Sequence, residues 1–259
     1  MTVYDCFMFY DELDLLELRM NILNDSVDKF MIVQSNRTLQ GKPKEYVTLN
    51  SRFDKFRNKI IFHNVDGRKN DAVGFDYEFW LRDSIKNKLN QVGVSDDDII
   101  ILSDVDEIPD PIKLSGMIPR CYIPTNICMK FYYYYINCKF VNKLWYSAKI
   151  FRYDNAEGIN FNNIRQNDNY YSTLYDAGWH FSYTGGAEKI QNKLMTFSHS
   201  EFNRSPFTDL NYIKECMNKP VDLFGRKDCE LSFVKIDDTY PKYILDNIKD
   251  LDFLIKKGV

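Results

Sequence analysis

The acidic segment Asp96–Pro111, DDDIIILSDVDEIPDP, constrains the fold of this 259-residue chain more than any other stretch. Four consecutive apolar residues, 99–102, lead directly into a D-V-D-E sequence that contains Asp104 and Asp106. A short apolar run bounded by acidic residues and proline is typical of a strand buried on both faces, in a parallel or mixed sheet. Side chains two apart on a strand point the same way, so we expect the two carboxylates to lie together.

Paired carboxylates at the end of a buried strand indicate a divalent-cation site. Oxygen ligands favour Mg²⁺ or Mn²⁺ that carries substrate phosphates, whereas Zn²⁺ prefers nitrogen and sulfur. The alternative for a bare D-x-D pattern is an acidic loop that caps a helix. The buried strand before Asp104 and Asp106 favours the metal site.

The first half of the chain predicts a parallel α/β unit. A strand over 3–9 precedes a helix whose apolar residues recur at helical spacing, and a second strand follows over 29–34. A third strand is predicted over 59–63 and a second helix from Tyr77 to a stop at Gly93. Glu17 and Arg19 lie off the apolar stripe of the first helix, so we expect them on its solvated surface.

The second half changes character. Residues 127–137 and 144–153 are aromatic and β-prone, which predicts an antiparallel hairpin added to the parallel sheet. Residues 155–171 are rich in Asn and poorly periodic, which indicates a loop over the site. A strand over 177–183 and a helix from 187 come next, and two helices, about 210–219 and 241–257, end the chain.

Composition excludes some functions. The net charge of −3 and the absence of a basic stripe argue against nucleic-acid binding. The six cysteines form no C-x-x-C pair, so we expect reduced, mostly buried thiols. The sequence has neither a signal-peptide pattern nor an apolar run long enough to span a bilayer, which predicts a cytoplasmic protein without a transmembrane segment.

Loops at the carboxyl ends of parallel strands are where ligands of α/β proteins bind. Gln34, Asn36 and Arg37 follow the second strand and are therefore candidate contacts for a nucleotide or phosphate. We also place Arg68 and Asp71, from the polar segment after the third strand, in the nucleotide site. For Arg82, beside the apolar stripe of the second helix, two interpretations stay open: an ion pair within the fold, or a contact to phosphate.

One later strand, turn and helix supply further candidates. His180 lies on the strand and can complete an Mg²⁺ or Mn²⁺ coordination shell, although a lone histidine is more often structural. Glu188 follows Gly185 and Gly186 in the first turn of the helix. Its carboxylate is either stabilised there by the helix dipole alone or directed into the cleft because the glycine turn lets the backbone approach a substrate.

Four segments together resemble glycosyltransferase family 17. They are FYDELDLLELRMNIL, VQSNRTLQGKPK, ILSDVDEIPDP and AGWHFSYTGGAEKIQNKL, and the match extends from about Tyr4 to Leu194. The motifs are long and occur in the family's order, so they are far more specific than D-x-D alone.

The resemblance implies a GT-A type fold, an α/β architecture with a mixed, mainly parallel sheet. It implies an inverting nucleotide-sugar transferase with UDP-GlcNAc as donor and a glycan as acceptor. Asp104 and Asp106 would hold the metal that bridges the diphosphate, and His180 would be a further metal or diphosphate ligand. Glu188 would be the catalytic base, with Asp176 as the second choice. One domain is expected over 1–259, with nucleotide binding in about 1–110 and the acceptor side in about 111–259.

Two other functions use the same residues. A metal-dependent nucleotidyltransferase or phosphohydrolase would need the paired aspartates equally. A carbohydrate-binding protein that kept the fold and lost turnover is the non-enzymatic alternative.

Overall fold

The computed structural model describes residues 1–167 and 171–259. The strands are β1 Val3–Met8, β2 Lys29–Ser35, β3 Ile60–Val65, β4 Ile99–Asp104, β5 Glu107–Pro109, β6 Thr125–Ile127, β7 Met129–Tyr133, β8 Cys138–Trp145, β9 Lys149–Arg152, β10 Ser172–Leu174, β11 Gly178–Ser182 and β12 Leu231–Phe233. The α-helices are α1 Leu13–Leu23, α2 Gly74–Val92, α3 Pro111–Met117, α4 Phe161–Gln166, α5 Ala187–Leu194, α6 Leu210–Asn218 and α7 Lys242–Asp246.

The larger sheet has the strand order β10-β6-β9-β4-β1-β2-β3 within the described residues. β1 pairs in parallel with both β2 and β4, and β2 pairs in parallel with β3. β9 is antiparallel to β4 and β6. This confirms the predicted α/β class with a mixed, mainly parallel sheet.

The strand before the paired aspartates is buried on both faces, as predicted. Ile99 and Ile101 belong to one hydrophobic cluster, which includes α1 side chains such as Leu16. Ile100 and Leu102 belong to a second cluster, which includes α2 side chains. The strand therefore holds its carboxyl end at a fixed position between two packed layers.

The smaller sheet has the order β12-β8-β7-β11-β5 in the part of the chain that the structure describes. The predicted aromatic hairpin is present, but the predicted range of its second strand is wrong. β7 pairs with β8, Cys138–Trp145, and not with a strand over 144–153. The chain leaves this sheet after Trp145, and Lys149–Arg152 becomes β9 of the larger sheet.

Two other predicted elements also differ. The segment expected to be a loop over 155–171 contains α4, because the side chain of Asn160 caps the helix by accepting from the backbone N–H of Asn163. Residues 168–170 of that loop lie outside the described residues. The last predicted helix, 241–257, is α-helical only over α7, and a separate 3-10 turn follows at Asp252–Leu254. α7 ends where the side chain of Asn247 donates to the carbonyl of Tyr243, a local bond that competes with helix continuation.

Two other expectations, the stop at Gly93 and the free, mostly buried cysteines, are confirmed. α2 ends at Gly93, which adopts a left-handed conformation with φ of 79°. All six cysteines are free thiols, and five of them are buried. A search of the helices in the described residues finds none with the length and apolar character needed to cross a membrane.

Candidate active site

A cavity of 810 Å³ opens at the carboxyl ends of β1, β2 and β4. Its walls come from both sheets, from α2 and α5, and from the segment that follows α5. Five predicted site residues line it: Arg37, Arg82, Asp104, Asp106 and His180. The D-x-D carboxylates and His180 thus line one cavity, and their role as metal ligands stays a prediction.

Asp104 and Glu107 share one arginine. Arg165 donates to Asp104 Oδ2 at 2.6 Å and to both carboxylate oxygens of Glu107 at 2.7 and 2.8 Å. Burial raises the pKa of Asp104, and Arg165 opposes that rise. For Glu107 burial acts in the same direction, but Arg165 outweighs it and lowers the pKa to about 2.

Asp106 lies between a lysine and a histidine. Lys193 Nζ is 3.0 Å from Asp106 Oδ2, and His180 Nε2 is 3.6 Å from Asp106 Oδ1. Burial alone would raise the pKa of Asp106, but Lys193 and His180 hold it far below its usual range. The imidazole is packed between Phe131, parallel at 4.7 Å, and Trp145, with centroids 4.4 Å apart. Both aspartates thus face a cationic partner within the cavity.

The prediction that Arg19 lies on the solvated surface of the first helix is wrong. Its side chain is fully buried and forms an ion pair with Asp5. It also donates to the carbonyl of Asp104 at 2.9 Å and to that of Glu107 at 2.6 Å. Arg19 therefore fixes the backbone of the turn that carries Asp106.

Arg82 forms ion pairs within the fold and also lines the cavity, and its contact with a phosphate stays a prediction. It donates to Glu78 Oε1 at 2.6 Å and to Asp104 Oδ1 at 3.4 Å. Glu78 in turn accepts a hydrogen bond from Ser198, in the segment after α5. This relay connects the end of β4 to the part of the cavity wall that the segment after α5 forms.

Of the residues predicted after β2, only Arg37 lines the cavity. Its guanidinium bonds three backbone carbonyls, those of Gly67, Asn70 and Ala72, and lies over the ring of Tyr77. Arg37 therefore organises the loop after β3 as well as facing the cavity.

The other predicted nucleotide contacts lie elsewhere. The amide of Gln34 bonds the backbone of Val47 and the side chain of Asn64. Asn36 and Arg68 both donate to Asp66, and Asp71 is exposed. The structure does not bring Gln34, Asn36, Arg68 or Asp71 onto the cavity surface, and their contact with a donor stays a prediction.

The two carboxylates predicted as base are also outside the cavity lining. Glu188 has 71% of its side chain exposed and lies 3.3 Å from Lys214. Asp176 is 2.7 Å from Lys130. A general base must come within about 2.6–3.2 Å of the proton it removes, so either residue would have to turn toward the cavity to act. Their catalytic roles stay predictions.

The donor atoms needed for Mn²⁺ or Mg²⁺ are present, since two carboxylates and an imidazole suit either ion. His180 Nδ1 is buried and has no hydrogen-bond partner among the described residues. Across residues 1–167 and 171–259, however, no three His, Cys, Asp or Glu side chains form a group that could hold a metal ion. The residue types fit a metal, while their oxygens here are taken by Arg165 and Lys193.

Sequence reasoning missed Arg165, Lys193 and Glu78. Lys193 could have been found, because Lys189 and Lys193 are four apart on the helix after the glycine turn and so share a face. Arg165 had a weaker signal, the Asn160 cap at the start of α4. Nothing in the sequence pairs Arg165 with a carboxylate 61 residues earlier in the chain.

Among solved structures, the chain is similar to S. aureus TarS 1–349, with a TM-score of 0.43 and 14% identity over 70% of this chain and 61% of that one. Three curated relatives are each named beta-1,4-mannosyl-glycoprotein 4-beta-N-acetylglucosaminyltransferase. Those from Rattus norvegicus and Mus musculus are 26% identical over 291 residues, 95% of this chain, and the one from Homo sapiens is 26% identical over 290 residues, 94% of this chain. The chain spans about half the length of these relatives, 53% in each case.

A family model covers nearly the whole chain. The model described as glycosyltransferase family 17 matches residues 1–255, a range that contains both sheets, the cavity and every predicted site residue. The chain belongs to glycosyltransferase family 17.

Proposed function

We propose that the chain is an inverting glycosyltransferase that moves GlcNAc from UDP-GlcNAc to a hydroxyl group of a glycan, with Mn²⁺ or Mg²⁺ as cofactor. The observation that carries this proposal is the cavity in which Asp104 and Asp106 meet Arg82, Arg165 and Lys193. Family membership and the names of the relatives support the sugar and the donor.

The reaction needs positive charge beside the diphosphate of the donor, where negative charge develops as UDP leaves. Attack by the acceptor oxygen on the sugar C1 breaks the bond from C1 to the diphosphate, and UDP leaves with the electron pair. Preorganised cations in a cavity that excludes water stabilise such a charge more strongly than cations in bulk solvent. Arg82, Arg165 and Lys193 are the cationic groups beside the D-x-D aspartates, so we assign them to the diphosphate side of the reaction.

Asp104, Asp106 and His180 would hold the metal. When bound, it would supply further positive charge to the leaving diphosphate. Because Lys193 contacts Asp106 and Arg165 contacts Asp104 at hydrogen-bond distance, these two side chains compete with the ion for the same carboxylates. Each of the two aspartates thus already has a cationic side chain of the protein as its partner.

The first test is product analysis. The protein is incubated with UDP-GlcNAc, Mn²⁺ and a mannose-containing glycan, and the expected products are UDP and a glycan that carries one more GlcNAc. Transfer of UMP with release of GlcNAc 1-phosphate would indicate a nucleotidyltransferase, and hydrolysis of the diphosphate to UMP and GlcNAc 1-phosphate a phosphohydrolase. Glycan binding with no turnover of any UDP- or GDP-sugar would indicate a carbohydrate-binding protein. Each of these three results contradicts the proposal.

The second test addresses the metal. UDP binding is measured by calorimetry with Mn²⁺ and with EDTA, for the wild type, Asp106→Asn and the exposed control Asp97→Asn. We expect EDTA to weaken binding roughly 5-fold to 150-fold in the wild type and in the control, the usual range of coupling between two ligands. Asp106→Asn should lose this metal effect. Equal UDP affinity under both conditions in the wild type would contradict metal dependence.

A further inference from the structure

Part of the cavity is lined by a group of phenylalanine rings. We call Phe75, Phe79, Phe197, Phe202 and Phe224 the aromatic wall, and all five rings line the cavity. Phe75 and Phe79 are 6.0 Å apart between centroids, and Phe202 and Phe224 are 4.0 Å apart. Phe75 keeps 41% of its surface exposed although it is a large apolar residue. The wall therefore offers apolar ring surface to a ligand in the cavity.

His199 lies within this wall. Its ring is perpendicular to Phe75 with centroids 4.6 Å apart, and it lies 5.4 Å from Phe197 and 5.8 Å from Phe202. These contacts restrict the orientation of the imidazole. Both His199 and its neighbour Glu201 line the cavity.

Glu201 fixes the tautomer of His199. Nδ1 of the imidazole lies 2.7 Å from Glu201 Oε1. Burial would raise the pKa of Glu201, but the hydrogen bond from His199 outweighs it, so the pKa is lowered and the carboxylate is an acceptor at neutral pH. An acceptor at Nδ1 requires the proton there, which leaves Nε2 of a neutral imidazole with its lone pair.

A short relay links Ser198, the residue before His199, to Asp104. The adjacent residue, Ser198, bonds Glu78, which pairs with Arg82 at 2.6 Å, and Arg82 reaches Asp104 at 3.4 Å. His199 therefore lines the same cavity as Asp104, and its neighbour in the chain belongs to this relay.

The carboxylates that line the cavity are held by other partners. Asp104 and Asp106 face Arg165 and Lys193, Glu78 bonds Arg82, and Asp14 bonds Lys189 and Arg52. One oxygen of Glu12, Oε2, accepts the backbone N–H groups of Tyr10 and Asp11, and Asp11 Oδ2 accepts from the side chain of Asn192 at 3.3 Å. The hydrogen bond of His199 to Glu201 engages Nδ1 and leaves Nε2 of the neutral imidazole as an acceptor.

We infer that the aromatic wall is the acceptor subsite and that His199 accepts the proton of the attacking hydroxyl group. This inference rests on the proposed function. The ligand is a pyranose whose C–H face packs on the negatively polarised faces of the rings. As the acceptor oxygen bonds C1, its proton passes to His199 Nε2, and the C1–oxygen bond to the diphosphate breaks with its electron pair leaving on UDP. Glu201 is the positioning residue for the imidazole.

The test uses two histidine variants that separate the ring nitrogens. The amide of His199→Asn can replace Nδ1–H toward Glu201, whereas His199→Gln places an amide near Nε2, and neither supplies a base. We expect both to lower kcat on the order of 10²-fold or more, the usual contribution of a general base. UDP affinity and the melting temperature should stay near wild-type values, which separates lost chemistry from lost folding.

Further variants test the neighbours. Glu201→Gln should lower kcat with little change in the acceptor KM, as expected for a positioning residue. Phe75→Leu should instead raise the acceptor KM about tenfold, the effect of losing one aromatic contact. The matched control is His63→Gln, because His63 bonds Ser84 outside the cavity and should be dispensable for turnover.

Two results separate the failure of this inference from that of the proposed function. If the wild type transfers GlcNAc while both His199 variants keep wild-type kcat, or while Glu188→Gln alone loses 10²-fold, the inference is wrong and the proposed function stands. If the wild type releases GlcNAc 1-phosphate instead of transferring GlcNAc, or shows no turnover, both are overturned.

Discussion

Glu107 is the residue on which the geometry of the D-x-D turn depends. Its buried carboxylate accepts from the backbone N–H of Asp104 at 2.9 Å, from the indole of Trp145 at 2.5 Å and from Arg165. It therefore joins the end of β4, the strand β8 and the helix α4 at one point. A buried carboxylate with this many donors is a structural group.

Glu107 should make the protein sensitive to acid. Burial would raise its pKa, but Arg165 lowers the pKa from 4.5 to about 2 in the folded state. The stability gained is then present above about pH 4.5 and is lost as the pH falls toward 2. Such a shift corresponds to a free energy of unfolding on the order of 3 kcal/mol.

Urea unfolding between pH 7 and pH 3 measures this effect. Glu107→Gln should be less stable than the wild type at pH 7, since Arg165 loses a buried partner, and should lose less stability between pH 4.5 and pH 3. Glu157→Gln, at an exposed position, should keep the wild-type slope. A wild-type slope in Glu107→Gln would rule out this carboxylate as the acid-sensitive group.

At the scale of elements, the short antiparallel pair β5–β11 brings the two halves of the site together. In its register His180 lies opposite Glu107 and Gly178 lies opposite Pro109. The strands approach closely at Gly178, where an added Cβ would lie 2.5 Å from the carbonyl oxygen of Ile108 and 3.0 Å from Pro109 Cα. Only glycine fits there without moving the backbone that carries the D-x-D turn.

Gly178→Ala should therefore destabilise the protein, by about 1–3 kcal/mol, the usual cost of overpacking. Gly116→Ala is the matched control, because nothing lies within 4 Å of a Cβ at that helical position. The control should be neutral or more stable by about 0.5–1 kcal/mol, as glycine is a poor helix former. Urea unfolding and UDP affinity measure both variants, and we expect only Gly178→Ala to lose affinity. Equal stability of the two variants would contradict the close approach.

Elements with a strong local pattern could be predicted, and elements decided by tertiary pairing could not. The apolar run of β4 and the helical stripe of α2 specify their own structure, so their positions agree with the sequence. The aromatic stretch 144–153 carries equal β propensity along its length, yet it divides between two sheets, because β4 and β6 provide a place for β9. Periodicity contains no information on which partner a strand finds.

At the scale of the whole molecule, the site residues that depend on tertiary contacts could not be predicted from the sequence either. Asp104 and Asp106 were found because they follow a buried strand, and His180 because it lies on a later predicted strand in a motif that resembles the family's. The buried roles of Arg19 and Arg165 come from contacts across 85 and 61 residues. The sequence does not distinguish a buried arginine from a solvated one. What distinguishes them is the carboxylate or carbonyl that the fold places beside the guanidinium.

Because the cavity is built from both sheets, a ligand in it should stabilise the whole molecule. The walls combine the ends of β1, β2 and β4 with residues of β7, β8 and β11. A ligand that binds only the folded state at 100 times its Kd adds about 2.7 kcal/mol to the free energy of unfolding. For a chain of this size that corresponds to a rise in Tm of roughly 5–10 °C.

Thermal unfolding with UDP and Mn²⁺ together should show this rise, and each compound alone should give less. UMP should also give less than UDP, because Arg82, Arg165 and Lys193 are assigned to the diphosphate and a single phosphate engages fewer of them. Asp106→Asn should remove the part of the shift that depends on Mn²⁺ and keep the part that depends on UDP alone. If saturating UDP, with or without Mn²⁺, leaves the Tm unchanged while UDP-GlcNAc is still turned over, the nucleotide binds outside this cavity. The cationic side chains beside the D-x-D turn would then be structural, because their positive charge would have no diphosphate to neutralise.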